Sequence, residues 1–149
     1  MDIFLVVGSE SGNAEMVGDV VKDALEAAGH QVETFRGGTL VDARLHERSV
    51  VLIVCSSTGI GDLPQNIEPF FHAIAGERPS LGHIRYGVVG LGDRNYKESF
   101  LGGPRKWDAL LAELGAMRVG DRLELDATDN PAPDEDAAEW VVPWVEKLA

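Results

Sequence analysis

The chain has a single cysteine, Cys55, in 149 residues. It cannot close an internal disulfide, which excludes a disulfide-stapled scaffold and fits a reducing compartment. No apolar run approaches the roughly 20 residues needed to cross a bilayer. The N-terminal stretch MDIFLVVGSESG carries an acid at position 2 and no basic residue ahead of its short apolar run. That pattern does not fit a signal peptide, so a cytoplasmic protein is expected. Positive charge is scarce: 13 Lys and Arg stand against 25 Asp and Glu, a formal net charge of −12. Such a balance repels nucleic acid and anionic membranes. It permits a basic protein partner, and it is equally compatible with simple solubility. His30, His46, His72 and His83 are scattered without metal-ligand spacing. There is no G-K-S/T motif, which disfavours a nucleotide hydrolase. GLGDRN lacks the third glycine of G-x-G-x-x-G, which disfavours a dinucleotide-dependent dehydrogenase.

What is present reads as one domain over residues 1–149, close to the usual domain size of about 150 residues. Ile3–Val7, Val50–Cys55 and Tyr86–Val89 are short, continuous and rich in β-branched residues. Runs of that kind are strands buried on both faces, the signature of a parallel sheet. Gln31–Phe35 and Met117–Leu125 are expected to flank them as strands. Helical spacing marks Asn13–Ala28, Pro64–Ala75, Pro104–Leu114 and Asp134–Leu148. Pro143 lies inside the last of these and predicts a kink or two shorter pieces. The alternation implies an α/β protein with an open, doubly wound parallel sheet and helices on both faces. In such sheets a ligand binds beyond the carboxyl ends of the strands.

Three loops stand at those ends. Ser9–Met16 joins small hydroxyl residues to a helix start, an arrangement of amides suited to an anion. No lysine or arginine lies between Met1 and Val21, so a phosphate held there would meet only amides and hydroxyls. The same residues could also be a plain helix cap. Ser56–Asn66 is long for a strand-to-helix connection and carries Gly59 and Gly61, which allow close backbone approach. Gly90–Phe100 carries Tyr96, which could stack on a flat ligand or plug the helix that follows. Together the loops suggest a ligand with a phosphate at the first strand and a flat ring between the third and fourth.

The stretches SESGNAE, SSTGIGDLPQN and GLGDRNY, followed by the acid-rich Asp129–Trp140, resemble the flavodoxin family over nearly the whole chain. The resemblance is to the short-chain, MioC-like type and to the FMN domains of diflavin reductases. It implies a five-stranded flavodoxin-like sheet in the order 2-1-3-4-5, bound FMN and one-electron transfer without substrate turnover of its own. By position, Ser9, Glu10, Ser11, Gly12, Asn13 and Ala14 would hold the phosphate. Ser56, Ser57, Thr58, Gly59 and Gly61 would line one side of the flavin ring. Leu91, Gly92, Asp93, Tyr96 and Phe100 would line the other, with Asp126 a further contact. Gly59 takes the place where relatives present a carbonyl to flavin N5. Thr58 stands where many relatives have an aromatic residue, so stacking through Tyr96 alone is implied. Two other classes remain: a flavin-dependent NAD(P)H:quinone reductase of the same fold, and a binding module without cofactor.

The acids cluster. Residues 101–149 hold eleven acids against five bases, and no lysine or arginine falls between Leu123 and Glu146. Glu124, Asp126, Asp129, Asp134, Glu135, Asp136 and Glu139 are expected to form an acidic rim beside the flavin. Such a rim would steer a basic-faced reductase or acceptor enzyme toward a monomeric carrier.

Overall fold

A computed structural model describes residues 1–9, 12–57, 63–92, 102–126 and 132–148. The strands are β1 (Asp2–Gly8), β2 (Gln31–Phe35), β3 (Val50–Ser56), β4 (Arg85–Gly92), β5 (Met117–Arg118) and β6 (Leu123–Asp126). Their order is β2-β1-β3-β4-β5, with β6 also pairing β4, and every described pairing is parallel. β5 and β6 therefore share the fifth position, and the sheet has the expected 2-1-3-4-5 order.

The helices are α1 (Asn13–Ala27), α2 (Leu40–Ala43), α3 (Glu68–Glu77), α4 (Gly102–Glu113) and α5 (Pro133–Glu146). Alternate residues of each central strand feed opposite layers. Ile3, Leu5, Val7, Val50, Leu52 and Val54 pack with α1 and α5. Phe4, Val6, Val51, Ile53, Tyr86 and Val88 pack with α3 and α4. Both faces are buried, which is why the strands are continuous apolar runs rather than alternating ones.

Three expectations are corrected. First, the fifth strand is not continuous from Met117 to Leu125. Gly87 and Val88 of β4 stand opposite four residues, 119–122, so two extra residues are looped out. The break is pinned from both layers. Trp144 Nε1 donates to the Val119 carbonyl at 3.1 Å, and Arg118 and Arg122 reach Asp108 on α4. Second, α3 begins at Glu68 rather than at Pro64. Pro64 opens a turn whose carbonyl accepts from Ile67 and Glu68, and Pro69 takes the first helical turn, where no amide donor is needed. Third, of the kink or two pieces expected at Pro143, the two pieces are overturned: α5 is a single 14-residue helix with Pro143 inside it. Pro143 lies in its C-terminal part, and Val141, Trp144 and Val145 on either side are anchored in the core.

α2 and the 3-10 turn Leu45–Glu47 were not expected. Their signal is a reciprocal cap: Thr39 Oγ1 accepts from the Asp42 amide, and Asp42 Oδ2 accepts from the Thr39 amide.

Gly87 gives the Trp144 indole of α5 room to lie against the sheet. A Cβ there would lie 2.6 Å from the Trp144 indole. Gly87→Ala is expected to displace the indole and destabilise the fold by about 1–3 kcal/mol. Guanidinium unfolding measures this, and an unchanged midpoint would mean that Trp144 has room to move.

Candidate functional site

Parallel register lines up the strand ends. Gly8 pairs Cys55, Ser56 pairs Leu91, and Gly92 pairs Asp126. The described candidates Ser9, Ser56, Ser57, Leu91, Gly92 and Asp126 thus stand along one carboxyl edge, and Gly12, Asn13 and Ala14 open α1 beside it. Glu10, Ser11, Thr58, Gly59, Gly61, Asp93, Tyr96 and Phe100 lie outside the described residues, as does Asp129.

At β1 the Ser9 hydroxyl accepts from the Gly12 amide at 3.0 Å. Gly12, which has no side chain to cap with, adopts φ +89° at the N-cap of α1. Asn13 is exposed and Ala14 is buried. Ala14 can offer a ligand only its amide, whereas Asn13 can add a side-chain donor. The positive end of the α1 dipole faces the same edge.

At β3 the Ser57 amide donates to the Leu91 carbonyl at 3.1 Å. The Ser57 hydroxyl accepts from the Gly103 amide at 2.9 Å, joining the end of β3 to the start of α4. Ser56 donates through its hydroxyl to the Gly8 carbonyl at 3.4 Å, a long bond between neighbouring strands. The Leu91 side chain is buried in the layer shared with α1 and α5, and its backbone lies within the ladder between β3 and β6. Asp126 is buried. Cys55, one residue below the edge, is fully enclosed, and burial pushes its thiol up to about 12. It is a core residue and not a reactive thiolate.

Sequence reading missed two residues here. Asn66 lies just before α3, and its side chain reaches the end of β1. Oδ1 accepts from the Ser9 amide at 3.0 Å, and Nδ2 donates to the carbonyls of Val7 and Arg36, each at 2.9 Å. Arg36 follows β2 and ion-pairs with Glu15 and Asp19 of α1. A guanidinium therefore stands beside the first turn of α1, with two carboxylates more than offsetting its charge.

The acidic rim is narrower than the sequence implied. Asp126 is buried, and Glu124 is bound by Arg122 at 3.2 Å with Arg105 at 3.9 Å. Asp134, Glu135, Asp136 and Glu139 lie on the first two turns of α5, with Glu135 and Glu139 exposed. Among the described residues no helix is long and apolar enough to cross a membrane.

Comparisons with known proteins agree with this geometry. Residues 5–140 match the flavodoxin family. Protein MioC of Escherichia coli K12 is 37% identical over 147 residues, covering 99% of this chain and 98% of that protein. Flavodoxin YqcA of the same strain is 40% identical over 146 residues, covering 96% and 95%. A cysteine-to-alanine mutant of flavodoxin from Pseudomonas aeruginosa superposes with a TM-score of 0.91 at 33% identity, covering 99% of each chain. The sheet order, the strand ends lined up along its carboxyl edge and these similarities over nearly the whole chain agree: the chain belongs to the flavodoxin family.

Proposed function

We propose that this chain binds FMN at the carboxyl edge and carries single electrons between a reductase and acceptor enzymes, as a cytoplasmic monomer. The observation that carries the reading is the opening of α1. The Ser9 hydroxyl and Asn13 set neutral donors, and Gly12 opens a helix N-terminus, at the end of β1, beside the ends of β3 and β4. That donor set suits a phosphate ester, because amides and hydroxyls can bind it without a cation. Arg36, the nearby cation, is already engaged by Glu15 and Asp19. FMN, when bound, supplies the redox chemistry, and the protein supplies binding and electrostatics. Glu10 and Ser11 complete the proposed phosphate loop. Thr58, Gly59 and Gly61 on one side, and Asp93, Tyr96 and Phe100 on the other, complete the ring site, with Asp126 beside it.

Partners are proposed to be basic at their docking face. The acids of α5 support this, although those in its first turn also complement the helix dipole. The FMN-loaded protein should stay oxidised when mixed with NADPH alone and be reduced when a basic-faced flavodoxin reductase is added. The reductase-dependent rate should fall as the Debye length shrinks from about 30 Å at low salt to about 8 Å at physiological ionic strength. Rapid reduction by NADPH alone would favour a quinone reductase instead. A rate flat in salt would reduce the α5 acids to a solubility role.

A further inference from the structure

We infer that Asn66 is a positioning residue for the anion-binding end of the site. Its carboxamide takes over where the β1 ladder ends and fixes the backbone from which the phosphate loop departs. The inference rests on the FMN reading above and assigns a role to a residue that contacts no phosphate itself.

The pairing of β1 with β2 ends at Val6–Phe35, and with β3 at Gly8–Cys55. Beyond these points the Val7 carbonyl and the Ser9 amide turn to a side chain. Asn66 accepts from the Ser9 amide and donates to the Val7 and Arg36 carbonyls. Both of its N–H groups and its oxygen are used, and the orientation is fixed by its partners. A flipped amide would set N–H against N–H at Ser9 and oxygen against two carbonyls. The hold passes outward through a second bond, because Ser9, fixed at its nitrogen, accepts from the Gly12 amide through its hydroxyl. Gly12 in turn caps α1. One carboxamide is thereby linked in two steps to the helix end that faces the anion.

The clamp is closed from the β2 side as well. Gly37 has φ +129°, and a Cβ there would lie 2.4 Å from the Asn66 carbonyl oxygen. The absence of a side chain lets the backbone after Arg36 rest against that of Asn66. Val7, Ser9 and Arg36 belong to two different strand ends, and the asparagine sets their spacing.

The test compares FMN with riboflavin, which has the ring but no phosphate. Asn66→Ala and the similarly shaped, apolar Asn66→Leu remove the clamp without adding charge. Each should weaken FMN binding by about tenfold or more while changing riboflavin affinity by less than about threefold, since the lost bonds serve the phosphate end. Equal losses for the two ligands would overturn the assignment and leave Asn66 a general structural residue. Wild-type protein that takes up no FMN would instead overturn the cofactor reading, so the two failures are distinct. The wild-type protein gives a second readout that needs no variant to fold. Exchange of the Ser9 amide proton should slow at least about tenfold more with FMN than with riboflavin. Equal protection by the two would also overturn the inference.

Discussion

Replacing Asp108 by alanine is expected to destabilise the fold by about 2–4 kcal/mol, the scale of a buried carboxylate whose partners are left behind. Asp108 is buried on α4. Its Oδ1 accepts from the Tyr86 hydroxyl at 2.5 Å, and its Oδ2 accepts from Arg118 and Arg122. Removing it would leave the buried Tyr86 phenol only its longer bond to the backbone carbonyl of residue 108, at 3.1 Å, and two guanidinium groups without their shared anion. The Arg118 share is reduced by solvent, since that side chain is 36% exposed. The consequence should concentrate at the fifth strand position, where the break at residues 119–122 depends on this cluster.

The same cluster sets the response to acid. Burial pushes the Asp108 carboxyl up, but hydrogen bonds from Tyr86, Arg122 and Arg118 outweigh it and hold the group below the usual carboxylate range. A carboxyl lowered by folding contributes stability that is present above its unfolded value. That stability is lost as pH falls toward the folded value. Wild-type stability should therefore decline in acid more steeply than that of Asp108→Ala, and the gap between them should close at low pH. Urea midpoints across the acid range measure this. Parallel curves would mean that Asp108 is not the group responsible.

The fold was legible where local pattern and burial coincide. Val50–Cys55 and Ile3–Val7 are buried on both faces, so their composition alone reads as central parallel strands. The fifth strand misled because Met117–Arg118 and Leu123–Asp126 read as one stretch. The interruption depends on Asp108 and Trp144, which lie on other elements. Gly120 and Asp121, a common turn pair, were the available hint. α2 is only four residues long, too short for periodicity to reveal, although Thr39 and Asp42 carry its cap.

The candidate site was legible as a set of strand ends and less so as a set of contacts. The switch-point rule and the small-residue loops direct attention to Ser9, Gly12, Ser56 and Ser57. Asn66 was visible only as the end of a motif, because its partners Ser9 and Val7 lie 57 and 59 residues away. Arg36 was hidden in the same way, since Glu15 is 21 residues distant. The acidic rim was overdrawn because composition does not distinguish a buried Asp126 or an ion-paired Glu124 from exposed acids.

The phosphate group of FMN should dominate affinity. The α1 N-terminus alone favours an anion by about 0.3–1 kcal/mol when exposed, and up to about 2 in partly buried geometry. Charge-assisted hydrogen bonds from loop donors contribute about 1.5–3 kcal/mol each before the cost of stripping water from the phosphate. A net effect of about 3 kcal/mol or more corresponds to at least about a hundredfold in Kd. Titrating the purified protein with FMN and with riboflavin, followed by flavin fluorescence, tests the central claim most directly. The account predicts that FMN binds at least about a hundredfold more tightly than riboflavin. Equal affinities, or no uptake of either flavin, would contradict it.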